Sequence, residues 1–412
     1  MSKFKPIISI SLILIITFFS FYPSLKNNFT NWDDDRYLTE NTIIQHVSWG
    51  NTKHIFASFF VGNYQPVTIL SYLVEYRFFK LNPFGYHLTN LILHLLNSIF
   101  VFWFIYLLTG RTNISLIVGI LFGIYPLHVE PVAWISERKD VLYTLFFLAA
   151  IICYCYYLRK GRILKYYYFS LCLFTLSLLS KAMAITLPIT LLLIDYLLYR
   201  ELNKGMLVDK IPFFILSFIF GIIAIFGQYS TGAVRNENLF NLPNKIGIAS
   251  YSIIFYLNKF LMPINLSCLY PAPQIKNPLF YLYPFITAVI LLIAIIISSR
   301  YTRKIIFGSS FFLVTLIPVI QFIPVGETVV ADRYVYIPLL GICYIMAEGF
   351  VWLYARRIKH AYLIRIFLLT TLIVILGILA LLTWNRCRVW KDSVTLWSDV
   401  LNKYPNVKTA YK

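Results

Sequence analysis

The chain has 412 residues, of which 59% are hydrophobic and only 13% charged. A water-soluble domain is roughly half apolar and about a quarter charged, so this composition excludes one. The 36 Lys and Arg against 17 Asp and Glu leave a net charge of +19. These basic residues stand in short clusters between apolar blocks, the pattern of membrane orientation and not of nucleic-acid binding, so no nucleic-acid partner is expected.

The apolar blocks have the length a helix needs to cross hydrocarbon, roughly 17 to 25 residues. The first, 6–22, follows Lys3 and Lys5 and has no small-residue cleavage site after it, so it is expected to stay as an uncleaved helix. Further spans are expected over 86–108, 112–126, 140–158, 166–180, 184–199, 211–228, 280–298, 305–322, 334–354 and 363–384. Two other apolar stretches, 66–79 and 246–262, are ambiguous. The basic groups settle them: Lys3 and Lys5, Arg111, Arg159 to Lys165, Arg200 to Lys210, Arg300 to Lys304, and Arg356 to Lys359 all fall on the cytoplasmic side only if neither stretch crosses. The expectation is an all-α polytopic membrane protein with about eleven transmembrane helices. The two ambiguous stretches become surface or half-embedded helices on the extracytoplasmic face.

The polar segments then gather on that outer face. The first is FTNWDDDRYLTEN, residues 29–41, where Asp33, Asp34 and Asp35 follow one another. Crowded carboxylates raise one another's pKa, which suits a general base, or they share a divalent cation, Mg or Mn. The plainer reading is a solvated loop. The second is HVEPVAWISERKD, which crowds His128, Glu130, Glu137, Arg138, Lys139 and Asp140 into one short connection. It reads either as a surface loop with weak ion pairs or as a phosphate and cation site. Lys181 lies between two apolar blocks, where a lysine either snorkels to the interface or stands in a cavity and binds phosphate. Arg333 follows Asp332 as an internal ion pair or a further anion contact. His87, Asn90 and His94 share one face of the second span, which reads as packed and hydrogen-bonded. Cys153 and Cys155 are two apart, the wrong spacing for a zinc pair. No glycine-rich phosphate loop, Ser-His-Asp signature or HExxH occurs, so a phosphate presented from within the bilayer fits better than a soluble nucleotide.

These residues resemble the GT-C class of membrane glycosyltransferases, which use polyprenyl-phosphate sugars. The resemblance is strongest to the O-mannosyltransferases with a transmembrane half followed by tetratricopeptide repeats, and to their bacterial relatives. The stretches that carry it are FTNWDDDRYLTEN, NYQPVTILSY, NPFGYHLTNLILHLLN, YPLHVEPVAWISERKDVL, LLSKAMAITLPITLLLIDYL and VVADRYVYIPLLG, in that order along the chain. The resemblance implies a catalytic carboxylate at Asp33, with Asp34 next. It implies donor-phosphate contacts from Arg138, Lys139, Lys181 and Arg333, and acceptor or metal contacts from His128, Glu130 and Asp140. It divides the chain into a catalytic membrane domain over 1–384 and, over 385–412, the start of a tetratricopeptide-like segment.

The implied reaction is transfer of a sugar, mannose by family, from a polyprenyl-phosphate donor to a hydroxyl, with inversion. The acceptor is Ser or Thr of a secreted protein, or else an envelope glycan or lipid. The implied setting is a bacterial inner membrane with the site facing outward. The competing class is a transporter or flippase of lipid-linked sugars. That class places ionisable residues near mid-membrane and shows internal repeats, and no repeat relates the two halves of this chain.

Overall fold

The computed structural model describes residues 4–201, 203–232, 242–271, 279–320, 328–356 and 361–411. Among them there are helices and turns but no strand. In chain order the helices are α1 (Phe4–Phe21), α2 (Trp49–Ala57), α3 (Pro66–Phe79), α4 (Pro83–Thr109), α5 (Thr112–Ile124) and α6 (Val129–Ala133). Then come α7 (Arg138–Arg159), α8 (Leu164–Ser180), α9 (Leu187–Leu197), α10 (Lys204–Val208), α11 (Ile211–Ser230) and α12 (Leu242–Leu261). The chain continues through α13 (Leu279–Ser298), α14 (Arg303–Leu316), α15 (Leu339–Ala355), α16 (Ala361–Val389) and α17 (Ser393–Lys403). Local chemistry fixes several starts. Asn82, Thr302 and Asp392 each accept a backbone N–H in the first turn of α4, α14 and α17, which satisfies one of the donors a helix leaves open there.

A helix stands at each expected span, and α3 starts and ends at the expected residues 66 and 79. The count of about eleven crossings is not confirmed. Among the described residues, five helices are long and apolar enough to cross: Lys5–Lys26, Pro83–Thr109, Ile135–Arg159, Lys204–Ser230 and Ala361–Val389. A bent pair, Thr112–Ile124 with Pro126–Ala133, makes a sixth. Helices such as α9 and α14 have 11 and 14 residues, about 17 to 21 Å at 1.5 Å per residue, which is short of a bilayer of about 30 Å. Tight 3-10 turns, Ala182–Thr186 and Ile317–Val319, take up the rest of those apolar blocks. Residues 321–327, 272–278 and 357–360, with Lys3, lie outside the described residues, and with them part of the expected span 305–322 and of the basic groups.

The core forms where α4, α5, α7 and α1 pack on one another, with α8 against α7. Serines set the α7–α8 approach: Ser170 and Ser177 each donate 2.8 Å to a carbonyl of α7, at Ala150 and Tyr143. Small polar residues are the usual means of close packing where apolar surface gives helices no reason to associate. The α14–α15 crossing depends on Gly308 and Gly341. A Cβ on either would collide with the other's carbonyl oxygen.

The connection between α5 and α7, Tyr125 to Glu137, is broken into α6 and two 3-10 turns with irregular joints, and is buried throughout. Buried irregular backbone needs hydrogen-bond partners from elsewhere. The inner face of α4 supplies them. Asn90 donates to the carbonyls of Val132 (3.3 Å) and Trp134 (3.2 Å), and Asn97 donates to Val141 (2.8 Å). His94 bonds Gly123 (2.9 Å) and the Tyr336 hydroxyl (2.7 Å). The polar face of α4 is therefore the support on which the second charged loop rests.

Candidate active site

Four segments meet at one end of the bundle: the loop after α1, the start of α7, the turn after α8 and the turn before α15. They enclose a cavity of about 740 Å³. Asp33, Glu137, Lys139, Lys181 and Arg333 all line it. α7 is 22 residues long, so its far end stands about 33 Å away. There Arg159, Arg162 and Arg200 line a separate small cleft.

The first loop divides its aspartates by backbone geometry. Asp33 has φ +79°, a left-handed conformation that Asp tolerates better than most residues and that is often kept at functional sites. Its side chain is about a third exposed, 4.0 Å from Arg36. Burial pushes its carboxyl above the usual carboxylate range, opposed by Lys139 and reinforced by Glu137.

Asp34 turns the other way and is buried. Its Oδ2 accepts from the Thr30 backbone N–H (2.8 Å) and hydroxyl (3.1 Å), and its Oδ1 from the Ser136 N–H (3.0 Å) and hydroxyl (2.5 Å). Burial raises it to about 6, against the pull of those donors. A carboxylate with four donors has no lone pair left for a substrate. Asp34 ties the first loop to the second, and the expectation that it serves as a catalytic carboxylate is corrected accordingly.

The second loop and the start of α7 send adjacent charges in different directions, about 100° per residue around the helix. Lys139 faces the cavity, 3.0 Å from Glu137, over the rings of Tyr37 and Trp134. Lys181 reaches Asp140 at 2.7 Å and Glu137 at 3.4 Å. Arg333 pairs with Glu130, accepts support from Glu137 at 3.4 Å, and lies over Trp134. Three cations thus converge on Glu137, while Glu130 and Asp140 hold two of them from beneath.

Arg138 does not join them. It is fully buried and paired with Glu75 of α3 at 2.5 Å, and it donates to Asn90 (2.5 Å) and the Tyr86 carbonyl (2.9 Å). A guanidinium enclosed in this way cannot meet a donor phosphate, so that expectation is corrected. His128 is also buried, bonded to the Phe122 carbonyl at 2.8 Å beside His94 and Tyr336. It packs in the core and faces neither acceptor nor metal. Among the described residues no three His, Cys, Asp or Glu side chains are grouped to hold a metal ion. Glu130 and Asp140 are each occupied by a cation. The residues present therefore do not fit a protein cage for Mg or Mn.

Sequence reasoning left out the cavity's hub and its aromatic wall. Glu137 was visible in the second loop, but only its three neighbours reveal its place. Trp32, Trp134 and Trp397 form the wall, with Trp32 6.1 Å from Trp134 and edge-on to Trp397 at 4.9 Å. Trp397 comes from α17, which is latched to the first loop. Its indole donates to Asn31 (2.7 Å), and the Asn31 N–H donates to Ser393 (2.9 Å).

Residues 75–227 match the family described as dolichyl-phosphate-mannose-protein mannosyltransferase. A protein O-mannosyl-transferase of Caenorhabditis elegans is 26% identical over 368 residues, which is 85% of this chain and 50% of that protein. Over these residues the chain is similar to protein O-mannosyltransferases. The human protein O-mannosyl-transferase TMTC2 is 32% identical over 134 residues, 30% of this chain and 16% of that one. The chain thus spans about half the length of the worm relative and less of the human one. ArnT from Cupriavidus metallidurans, solved bound to undecaprenyl phosphate, aligns over 97% of this chain and 78% of its own. It does so at a TM-score of 0.45 and 11% identity, a likeness too distant to carry an argument.

Proposed function

We propose that this multi-pass membrane protein transfers a sugar, mannose by its relatives, from a polyprenyl-phosphate donor to a hydroxyl of Ser or Thr on a secreted protein. The carrying observation is the convergence of Lys139, Lys181 and Arg333 on one cavity whose rim holds Asp33. Asp33 takes the proton of the acceptor hydroxyl as its oxygen bonds to the anomeric carbon. The bond from that carbon to the phosphate oxygen breaks on the opposite face, so the product is inverted. The departing phosphate carries the electron pair, and the three cations stabilise the charge that grows on it. Glu130, Asp140 and Glu137 keep those cations in position before substrate arrives, which spares reorganisation during reaction. The burial that raises Asp33 brings it nearer the working pH of a general base. With the basic groups cytoplasmic, the cavity opens on the extracytoplasmic side. The segment over 385–412, whose α17 buries Leu396 and Val400, reads as tetratricopeptide-like and closes one side of the cavity with Trp397.

The test is to give purified protein a polyprenyl-phosphate mannose and a Ser/Thr-rich peptide, and to follow mannosyl-peptide and free polyprenyl phosphate. Equal yields of both products support the reading. Donor that changes leaflet in vesicles without being consumed would mean a flippase. Consumption with an envelope glycan but never with peptide would move the acceptor to that class.

A further inference from the structure

A second cavity, of about 760 Å³, shares no lining residue with the first and lies at the same end of the bundle, between the ends of α1 and α16. The 3-10 turn that follows α1, Tyr22–Lys26, and the last turns of α16 each contribute a ring and a cation four residues apart: Tyr22 with Lys26, and Trp384 with Arg388. On α16 residues four apart share one face, so Arg388 stands one turn beyond Trp384; in the 3-10 turn Tyr22–Lys26 the ammonium of Lys26 lies over the Tyr22 ring, 5.5 Å from its centroid. The two rings stack at 6.3 Å and 20°, which brings the two pairs into register. Lys391 adds a third cation, with only Asp392 near it at 4.0 Å. Among the described residues, neither Lys26 nor Arg388 has a carboxylate within ion-pair reach. Lys26 ends one segment apolar enough to cross a bilayer, Lys5–Lys26, and Arg388 stands one residue before the end of another, Ala361–Val389.

Tyr and Trp rings at the end of a span mark the headgroup level, and unpaired cations just beyond them attract anionic headgroups. We propose that this groove binds the phosphate headgroup of one anionic phospholipid. Lys26, Arg388 and Lys391 would hold the phosphate, and the acyl chains would run down past Tyr22 and Trp384. The site is independent of sugar transfer. It borders the latch between α17 and the first loop, since Thr395 lines it and Asn27 bonds the Cys387 carbonyl at 3.0 Å.

The test is native mass spectrometry of the purified full chain with phosphatidylglycerol or phosphatidylcholine added, beside a K26Q/R388Q/K391Q variant. Phosphatidylglycerol should be retained as a single tight adduct. Each charge removed should weaken it about fivefold, about 100-fold for all three. Arg388→Lys, which keeps the charge, should retain the lipid and so controls for folding. Three results would overturn the proposal. These are retention by the triple variant within a factor of about two, equal retention of phosphatidylcholine, and complete displacement by inorganic phosphate, which would mean a soluble anion site.

Discussion

Replacing Arg138 with Ala removes the one charge that Glu75 faces across the α3–α7 contact. Glu75 is itself buried at 7% exposure and Arg138 at 0%, so the carboxylate left behind can neither reach water nor find another cation. Breaking a buried pair from one side costs about 3–5 kcal/mol. The acceptors at Asn90 and the Tyr86 carbonyl lose their partner as well, at about 1–3 kcal/mol each where no water enters. The sum exceeds 5 kcal/mol and would lower the melting temperature by roughly 10 °C or more. Arg138→Met with Glu75→Leu removes both charges and fills much of the volume, so it should recover most of the loss. Arg333→Ala differs in kind, because Arg333 faces the cavity at 13% exposure. It too strips a buried carboxylate, Glu130, of its cation and should lower the melting temperature, but there donor KM should rise as well. The assay is thermal unfolding in detergent beside turnover per folded molecule for all three variants. If Arg138→Ala unfolds like the wild type but loses donor affinity, its guanidinium reaches the phosphate and the reasoning fails.

Asp33→Asn keeps shape and removes basicity, so turnover should fall by a factor of about 10² to 10⁴ with melting nearly unchanged. Asp35→Asn should cost less, and a ranking with Asp35 most damaging would put the base two residues further on. Because Asp33 is raised and must be ionised to act, the wild-type rate should fall as pH drops through its pKa, and Asp33→Asn should lose that limb of the profile. Asp34 is raised to about 6 from 3.8 in the fold, so its stabilising contribution is full below 3.8 and lost as pH rises through 6. Unfolding measured at pH 4 and pH 7 should show wild type gaining up to about 3 kcal/mol on Asp34→Asn at the lower pH. Gly341→Val should cost more than 2 kcal/mol, about the upper half of the usual overpacking range, since the Gly308 backbone cannot retreat. Wild-type melting in that variant would mean that α14 and α15 cross more loosely.

Apolar run lengths made the helices legible, down to the bounds of α3. They could not show that the apolar block at 184–199 spends its first residues on a 3-10 turn, because hydropathy does not distinguish one tight helix from another. The candidate site was legible as a set of charged loops but not as an orientation. Arg138, Lys139 and Asp140 look alike as a basic and acidic run. On α7 they face α3, the cavity and Lys181 in turn, and only the partners decide which is which. Glu75, the partner of Arg138, is 63 residues away, and nothing in the local pattern announces it. The four donors around Asp34 were hidden for the same reason: two of them belong to Ser136, 102 residues further along.

The latch between Asn31 and Trp397 joins residues 366 positions apart. At a synthesis rate of about 5–20 residues per second, roughly 20 to 70 s separate their emergence from the ribosome. For that interval the loop bearing Asp33 has been made, but the wall that Trp397 supplies does not yet exist. The cavity thus gains its Trp397 wall only after every span between the first loop and α17 has been made.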